Sequence, residues 1–325
     1  MYRILGIILL ALFLLLITPQ LEWQALGKAI RQVPFSSLLG LVLLQLVTQL
    51  LLNCQWCSLG KTLQSPVSFN KMLYINSQGT LLESITPGAK IGGEVVRVLL
   101  LKNIAGYSAA KAVSLVTIQK LFSFSSFFLL SLAALFHITG KISYFDGPAL
   151  VKGTVYTALV LLITVFMAAL LYPDRMLVML KKRNENSFLV EILTHMTVFR
   201  QHRGAWWRQL GLSFLIWLLF PLKFWLLVRV FTHEVDLFTL AGIAMVAYLA
   251  AMLPVAPGGL GSFEVTMSGL LLLLGLPAAD VVVITVLFRF ITFWLVVLLS
   301  LLFVAVWKIL CKEGNPDGPL QQSCS

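Results

Sequence analysis

The sequence predicts an all-α polytopic membrane protein with about six transmembrane helices and two re-entrant helical hairpins, arranged as two inverted repeats. Three observations lead there. Hydrophobic residues make up 59% of the 325 residues and charged residues 11%, against roughly 25% charged in a soluble domain. With a mean hydropathy of +0.94, the apolar residues exceed what one globular core can hide, so lipid is the expected solvent. Pro and Gly clusters interrupt two of the apolar regions in matching ways, and Lys and Arg concentrate in alternate connections. Soluble enzymes, disulfide scaffolds and disordered chains are excluded. The net charge of +11 is scattered between apolar runs and forms no continuous basic face, so it signals topology and an attraction to anionic lipid, with no nucleic acid expected as partner.

Taken in order, Met1-Tyr2-Arg3 and the apolar stretch Ile4 to Ile17 resemble a signal peptide but offer no small-x-small cleavage site, which predicts a retained first helix. Five further runs are each able to cross roughly 30 Å of hydrocarbon: Leu38 to Leu59, Ala109 to Phe136, Val155 to Tyr172, Leu210 to Phe231 and Ala279 to Trp307. Two other regions do not fit as spans. Phe69 to Glu83 and Ile91 to Asn103 are separated by Thr86-Pro87-Gly88, and Leu237 to Leu253 and Ser262 to Gly275 by Pro254 and Pro257-Gly258-Gly259. Pro and Gly break helices, and Ile91 to Asn103 would reach only about 20 Å at 1.5 Å per residue. Each region is therefore expected to be a hairpin with its tip at membrane depth. Between the fourth and fifth crossings, Arg175 to Arg208 alternates basic and apolar positions at helical spacing, which predicts an interfacial helix on the inner leaflet. His195 and His202 are then solvated residues of that helix, and Cys54 and Cys57 are packing thiols.

The positive-inside rule orients this array. Arg175, Lys181, Lys182, Arg183, Arg200, Arg203 and Arg208 share one side with Lys61, Lys71, Lys90, Arg97, Lys102, Lys111, Lys308 and Lys312, whereas the opposite side has Lys28, Arg31, Lys141 and Lys152, and Thr232 to Phe288 has no Lys or Arg. Both termini are expected in the cytoplasm, in the cell inner membrane.

Self-similarity supplies the repeat. Pro87, Gly88 and Glu94 recur as Pro257, Gly258 and Glu264. After a shift of one residue, Gly106, Ala109-Ala110, Val113 and Lys120 recur as Gly275, Ala278-Ala279, Val282 and Arg289. Residues 1–150 and 151–312 then form two units, followed by a cytoplasmic tail, 313–325. Three crossings per unit invert the second relative to the first, as in secondary transporters, whose substrate site lies between the repeats.

The expected site follows from the broken helices. Helix starts after Pro87-Gly88 and Pro257-Gly258-Gly259 present free N–H groups and a partial positive charge, which suit a phosphate. Gly88, Gly92, Gly93, Gly258, Gly259 and Gly261 would let it approach the backbone. The bland alternative is a tight turn and nothing more. Each repeat also places an acid on its hairpin (Glu94, Glu264) and a base on the next crossing (Lys120, Arg289), with Arg97 beside the first. Ionisable groups inside a membrane mark a pathway or a buried pair. Structural ion pairs, headgroup coordination and proton coupling all remain open for them. Lys223 is expected to line the cavity or snorkel, and Arg229, near its helix end, to snorkel.

Leu253-Pro254-Val255-Ala256-Pro257-Gly258-Gly259-Leu260-Gly261-Ser262-Phe263-Glu264, with Gly275, Arg289 and Thr86 to Arg97, resembles the flippase-like transmembrane domain of the lysylphosphatidylglycerol synthase family, over nearly the whole chain. The resemblance implies movement of aminoacylated phosphatidylglycerol or another lipid between leaflets. The synthases append a soluble acyltransferase-like domain, whereas here only Lys308 to Ser325 follows the last crossing, so no synthase activity is expected. Many relatives carry a basic residue where this chain has Phe263.

The leading expectation is a lipid flippase for a phosphate-bearing lipid, without catalytic residues, metal or cofactor. A membrane-embedded lipid-modifying enzyme such as a glycosyltransferase is the alternative, opposed by the absence of an Asp-x-Asp pair and by short polar loops. A third is a scaffold that partners lipid-synthesis enzymes, opposed by the intramembrane charges.

Overall fold

The computed structural model describes residues 23–86, 91–139, 149–182, 187–253 and 257–314, all in helices and their connections. The helices are α1 (Trp23–Gln32), α2 (Phe35–Thr62), α3 (Phe69–Ile85), α4 (Ile91–Ala105), α5 (Ala109–Ile138), α6 (Ala149–Leu171), α7 (Pro173–Lys181), α8 (Phe188–Gln201), α9 (Arg203–Val228), α10 (Leu237–Met252), α11 (Ser262–Leu273), α12 (Ala278–Arg289) and α13 (Leu295–Gly314). Among the described residues, five segments are long and apolar enough to cross a bilayer: Phe35–Thr62, Ala109–Ile138, Gly153–Leu171, Arg203–Val228 and Ala278–Leu310. They coincide with the five runs expected after the first; Ile4 to Ile17 lies outside the described residues. The chain is an all-α, multi-pass membrane protein.

Local sequence sets most boundaries. Ser108 Oγ accepts the Lys111 N–H to start α5, Ser187 Oγ accepts from Leu189 to start α8, and Asp236 Oδ1 accepts from Phe238 and Thr239 to start α10. Each satisfies backbone donors that a helix start leaves unpaired. Gly106 and Gly275 close α4 and α11 with φ of 70° and 83°, a left-handed conformation that glycine adopts without steric cost. The last long helix winds through a π turn at Phe290–Trp294 just beyond Arg289, a feature often found near functional sites.

The two interrupted regions are helical hairpins: α3 packs along α4, and α10 along α11. The order of long helix, hairpin, long helix thus occurs twice, as α2, α3–α4, α5 and as α9, α10–α11, α12–α13. One core cluster surrounds the first hairpin, with Trp56, Leu59, Met72, Ile75, Leu101, Leu115 and Phe122 buried. The other surrounds the second, with Phe127, Phe224, Ile243, Phe263, Met267, Ile284 and Phe288. Helices α5 and α9 run through both.

The stretch Arg175 to Arg208 departs from the single interfacial helix expected. It divides into α7, α8 and the first turn of α9. The apolar face of α8, including Ile192, Leu193, Met196 and Phe199, is buried in the first core cluster. Phe122 contacts Phe199 and Trp206 edge-on at 5.9 and 5.5 Å. Protein therefore covers the stripe that the sequence reading assigned to lipid, while Phe188, Leu189 and Trp207 remain exposed. Helical periodicity is the same for both partners, which is why the sequence did not separate them. On α8, burial and the neighbouring Lys111 lower the pKa of His195, partly offset by Glu191. Short helix α1, not anticipated, buries Ala29 and packs on α12.

Candidate functional site at the meeting of the hairpin tips

The turn Pro257–Gly259 of the second hairpin packs against α3 of the first. Where they meet lies a cavity of about 240 Å³, bordered by Glu83, Ser84 and Thr86 on one tip and Gly258 and Gly259 on the other. Arg97, Lys120 and Arg289 reach its wall, as do the rings of Trp56, Phe124, Trp217, Phe220, Tyr248 and Phe293.

The acid–base pairing that the sequence left open as one alternative occurs in both halves. On the first, Glu94 Oε1 lies 2.6 Å from Lys120 Nζ and 2.7 Å from Arg97 Nη1. Arg97 also holds Glu83 at 3.3 Å, so one guanidinium bridges the two arms of the hairpin. On the second, Arg289 Nε lies 2.9 Å from Glu264 Oε1, with both side chains less than a tenth exposed. Arg289 Nη2 also donates to the Gly258 carbonyl at the tip. The guanidinium lies over the Phe263 and Phe293 rings, at 4.8 and 4.3 Å from their centroids, which holds a cation at low desolvation cost. Phe263, noted as a departure from related sequences, thus lies beneath Arg289.

The helix starts require a correction. The Gly261 N–H at the head of α11, expected to face a guest anion, donates to Glu264 Oε2 at 2.7 Å. This is the acidic half of a capping box, so that donor is already satisfied. Positive charge at this tip comes from Arg289. Pro87 and Gly88 lie outside the described residues, as does the side chain of Pro257.

The glycines divide by what surrounds them. Gly258, Gly259 and Gly261 have φ of 61°, 68° and 85°, so the second tip is built in a conformation other residues resist. A Cβ on Gly259 would lie 2.7 Å from the Ala251 carbonyl oxygen; one on Gly258 would lie 2.7 Å from the far edge of the Phe293 ring. Gly259 is therefore excluded as a test of anion approach, because its alanine variant disturbs the turn itself. Gly92 and Gly93 sit between the hairpin arms: a Cβ would meet Thr86 at 2.5 Å and the Gly79 carbonyl at 2.5 Å, respectively. Both let the arms pack closely.

Several residues of the site escaped the sequence reading. Gly79 leaves space for Arg97, whose Nε would stand 2.6 Å from an added Cβ. Glu83 was visible only as the last residue of an apolar run. The Tyr248 hydroxyl is buried on the cavity wall beside Thr292, and the Gln119 carbonyl oxygen is buried there with no hydrogen-bond partner among the described residues. Gln119 belongs to a buried amide cluster, donating to Gln55, which donates to Ser213 at 2.6 Å and so ties α2, α5 and α9 together. The signal available was the run of Gln residues inside apolar helices. Lys223 is fully buried, neither on the cavity wall nor at an interface. Arg229 is exposed at the end of α9, with its guanidinium 4.7 Å over Trp225.

Comparison with known proteins agrees with this architecture. The family model described as "Lysylphosphatidylglycerol synthase TM region" matches residues 3–300. A "UPF0104 membrane protein" of Methanothermobacter thermautotrophicus is 26% identical over 314 residues, covering 90% of each chain. Others from Pyrococcus horikoshii and Methanocaldococcus jannaschii are 25% and 21% identical, covering 86% and 82% of this chain and 90% and 83% of theirs. The chain belongs to the family of the lysylphosphatidylglycerol synthase transmembrane region.

Proposed function

We propose that the chain is a lipid flippase that passes a phosphate-bearing headgroup between the leaflets of the inner membrane, with the two hairpins as halves of one inverted-repeat carrier. The observation that carries this reading is the junction of the hairpin tips, where three cations of the two halves reach one small cavity. Discontinuous helices meeting near mid-membrane are the usual substrate site of inverted-repeat transporters. A cavity of about 240 Å³ falls below the roughly 300–1,000 Å³ of drug-sized pockets, which suits a headgroup whose acyl chains remain in lipid. Arg97, Lys120 and Arg289 would take the phosphate oxygens by charge-assisted hydrogen bonds. The aromatic wall keeps bulk water out and strengthens them. Rocking of one repeat against the other would expose the cavity to each leaflet in turn.

The test is reconstitution into liposomes carrying a short-chain fluorescent phosphatidylglycerol in both leaflets, followed by quenching from outside with a membrane-impermeant reductant. The wild-type chain should carry quenching well past the outer-leaflet half, and Arg289→Gln or Lys120→Gln should slow the second phase at least tenfold. Quenching that stops at the outer leaflet in wild-type vesicles, as in protein-free ones, refutes the proposal for this lipid class.

A further inference from the structure

Helices α2, α5 and α9 share a chain of buried side-chain amides whose orientation one backbone group fixes. Gln55 Nε2 lies 3.5 Å from the Gln209 carbonyl oxygen and 2.6 Å from Ser213 Oγ. A carbonyl only accepts, so the Gln55 amino group must face α9 and its oxygen must face α5. There that oxygen accepts from Gln119 Nε2 at 3.3 Å, which turns the Gln119 oxygen away from α2. The Gln119 oxygen is buried with no hydrogen-bond partner among the described residues, on a side chain that is 3% exposed and borders the cavity.

The hydroxyls of the same wall leave acceptors too. Thr48, Ser84 and Thr86 each donate one turn back along the chain, to the carbonyls of Leu44, Leu81 and Leu82 at 2.7, 2.7 and 2.8 Å. With their protons committed, what remains for the cavity is their lone pairs. A buried acceptor without a donor is costly. Tying α5 to α2 accounts for the amino group of Gln119 and leaves its oxygen unexplained. Nor does the fold demand an amide at this position: Lys120 recurs as Arg289, so the residue that matches Gln119 in the second half is Phe288, buried without a polar side-chain group.

We infer that Gln119 reads a hydroxyl of the headgroup: the cavity takes a phosphate esterified to a polyol, and Gln119 Oε1 accepts a hydrogen bond from that polyol while the cations hold the phosphate. The inference rests on the headgroup reading above and deepens it, from any phosphate to one that carries a free alcohol. An ammonium is the other donor that lipid headgroups supply. It would have to share a space of about 240 Å³ with Arg97, Lys120 and Arg289. The rings of Trp56, Phe124 and Phe293, whose faces would cradle it, already have those cations over them at 5.6, 5.9 and 4.3 Å. A hydroxyl brings no charge to be repelled. A site built to accept from a hydroxyl rejects the analogue that lacks it, because its own acceptor then stays unpaired.

The experiment measures equilibrium binding of short-chain phosphatidylglycerol and short-chain phosphatidylpropanol to the full chain in detergent, with thermal unfolding of the same samples. Both lipids are singly anionic and differ only in the hydroxyls of the glycerol headgroup. The wild-type chain should prefer phosphatidylglycerol at least tenfold. Gln119→Met, similar in length but without the amide oxygen, should erase that preference. A general loosening of the site would lower both affinities and keep their ratio, so a tenfold preference surviving in the folded variant overturns the assignment of Gln119. Gln119→Asn keeps a buried amide but draws its oxygen back by one methylene; it should erase the preference as well, and it decides the matter if Gln119→Met fails to fold. Failure of both variants to fold assigns Gln119 to structure and overturns the inference. Equal wild-type affinity for the two lipids overturns it also and leaves the headgroup reading standing, whereas binding of neither lipid to wild type refutes that reading itself.

Discussion

Arg289→Gln and Glu264→Gln, singly and together, measure what the buried pair of the second hairpin does. Arg289→Gln removes the 2.9 Å ion pair, the bond to the Gly258 carbonyl and two ring contacts. It leaves Glu264, 6% exposed, with the Gly261 N–H as its remaining partner. Breaking a buried pair from one side costs about 3–5 kcal/mol, because the remaining charge is uncompensated. Solvent screening gives little relief at this burial. Glu264→Gln costs somewhat less, about 2–3 kcal/mol by the same reasoning, since an amide oxygen still accepts from Gly261 and the guanidinium keeps Gly258 and two rings. The double variant buries only neutral groups, so its loss should fall well short of the sum, with a coupling of about 2–3 kcal/mol. Unfolding of the four proteins in one detergent, by heat or denaturant, gives the cycle. Additive losses within about 0.5 kcal/mol would refute the view that the pair holds hairpin to helix. Lipid transfer then separates stability from function: the double variant should fold yet move lipid at least tenfold more slowly, for want of the second hairpin's guanidinium in the cavity.

Gly259→Ala should be severely destabilised, since its Cβ meets backbone at 2.7 Å; Gly258→Ala should be milder, as the Phe293 ring edge is able to turn aside, and comparable unfolding temperatures would contradict this ranking. Phe199→Ala on α8 should cost about 3–5 kcal/mol as a core truncation, against less than about 1 kcal/mol for exposed Phe188→Ala; equal effects would return α8 to the lipid interface. With native cysteines replaced, Lys102→Cys, exposed at the base of the first hairpin, should react with an impermeant thiol reagent from the cytoplasm and Glu234→Cys, exposed at the base of the second, from outside; labelling of both from one face rejects the inverted arrangement.

The spans and hairpins were legible because a bilayer imposes one dominant constraint, the length of apolar helix, and Pro and Gly interrupt it visibly. The acid–base pairs were legible because Glu94 with Lys120 and Glu264 with Arg289 recur at matching positions. The sequence concealed features that depend on which faces meet. Gly92 and Gly93 have the composition of a phosphate loop and serve as helix contacts, since a missing Cβ admits a ligand or a neighbouring helix equally well. Arg97 bridges to Glu83 only because Gly79 opens the space between the arms, a three-residue relation with no fixed spacing. Lys223 was read as lining a cavity or snorkelling, yet Gln45 and Thr48, far away in sequence, enclose it.

The tip geometry also bears on how an anion would act once inside. Arg289 holds Glu264 and the Gly258 carbonyl with the same guanidinium that faces the cavity, and Glu264 in turn caps α11 through Gly261. A guanidinium has five N–H donors in one plane, so a phosphate approaching Arg289 competes with Glu264 for some of them, and every donor it takes weakens the tie between α12 and the hairpin. Lys120 and Arg97 share Glu94 in the same way on the first hairpin. Occupancy of the cavity and attachment of the tips are thus drawn from one set of hydrogen bonds. A ligand shifts a conformational equilibrium only by its differential affinity for the two states, and here the difference has a physical source: the anion binds best where the carboxylates have let go.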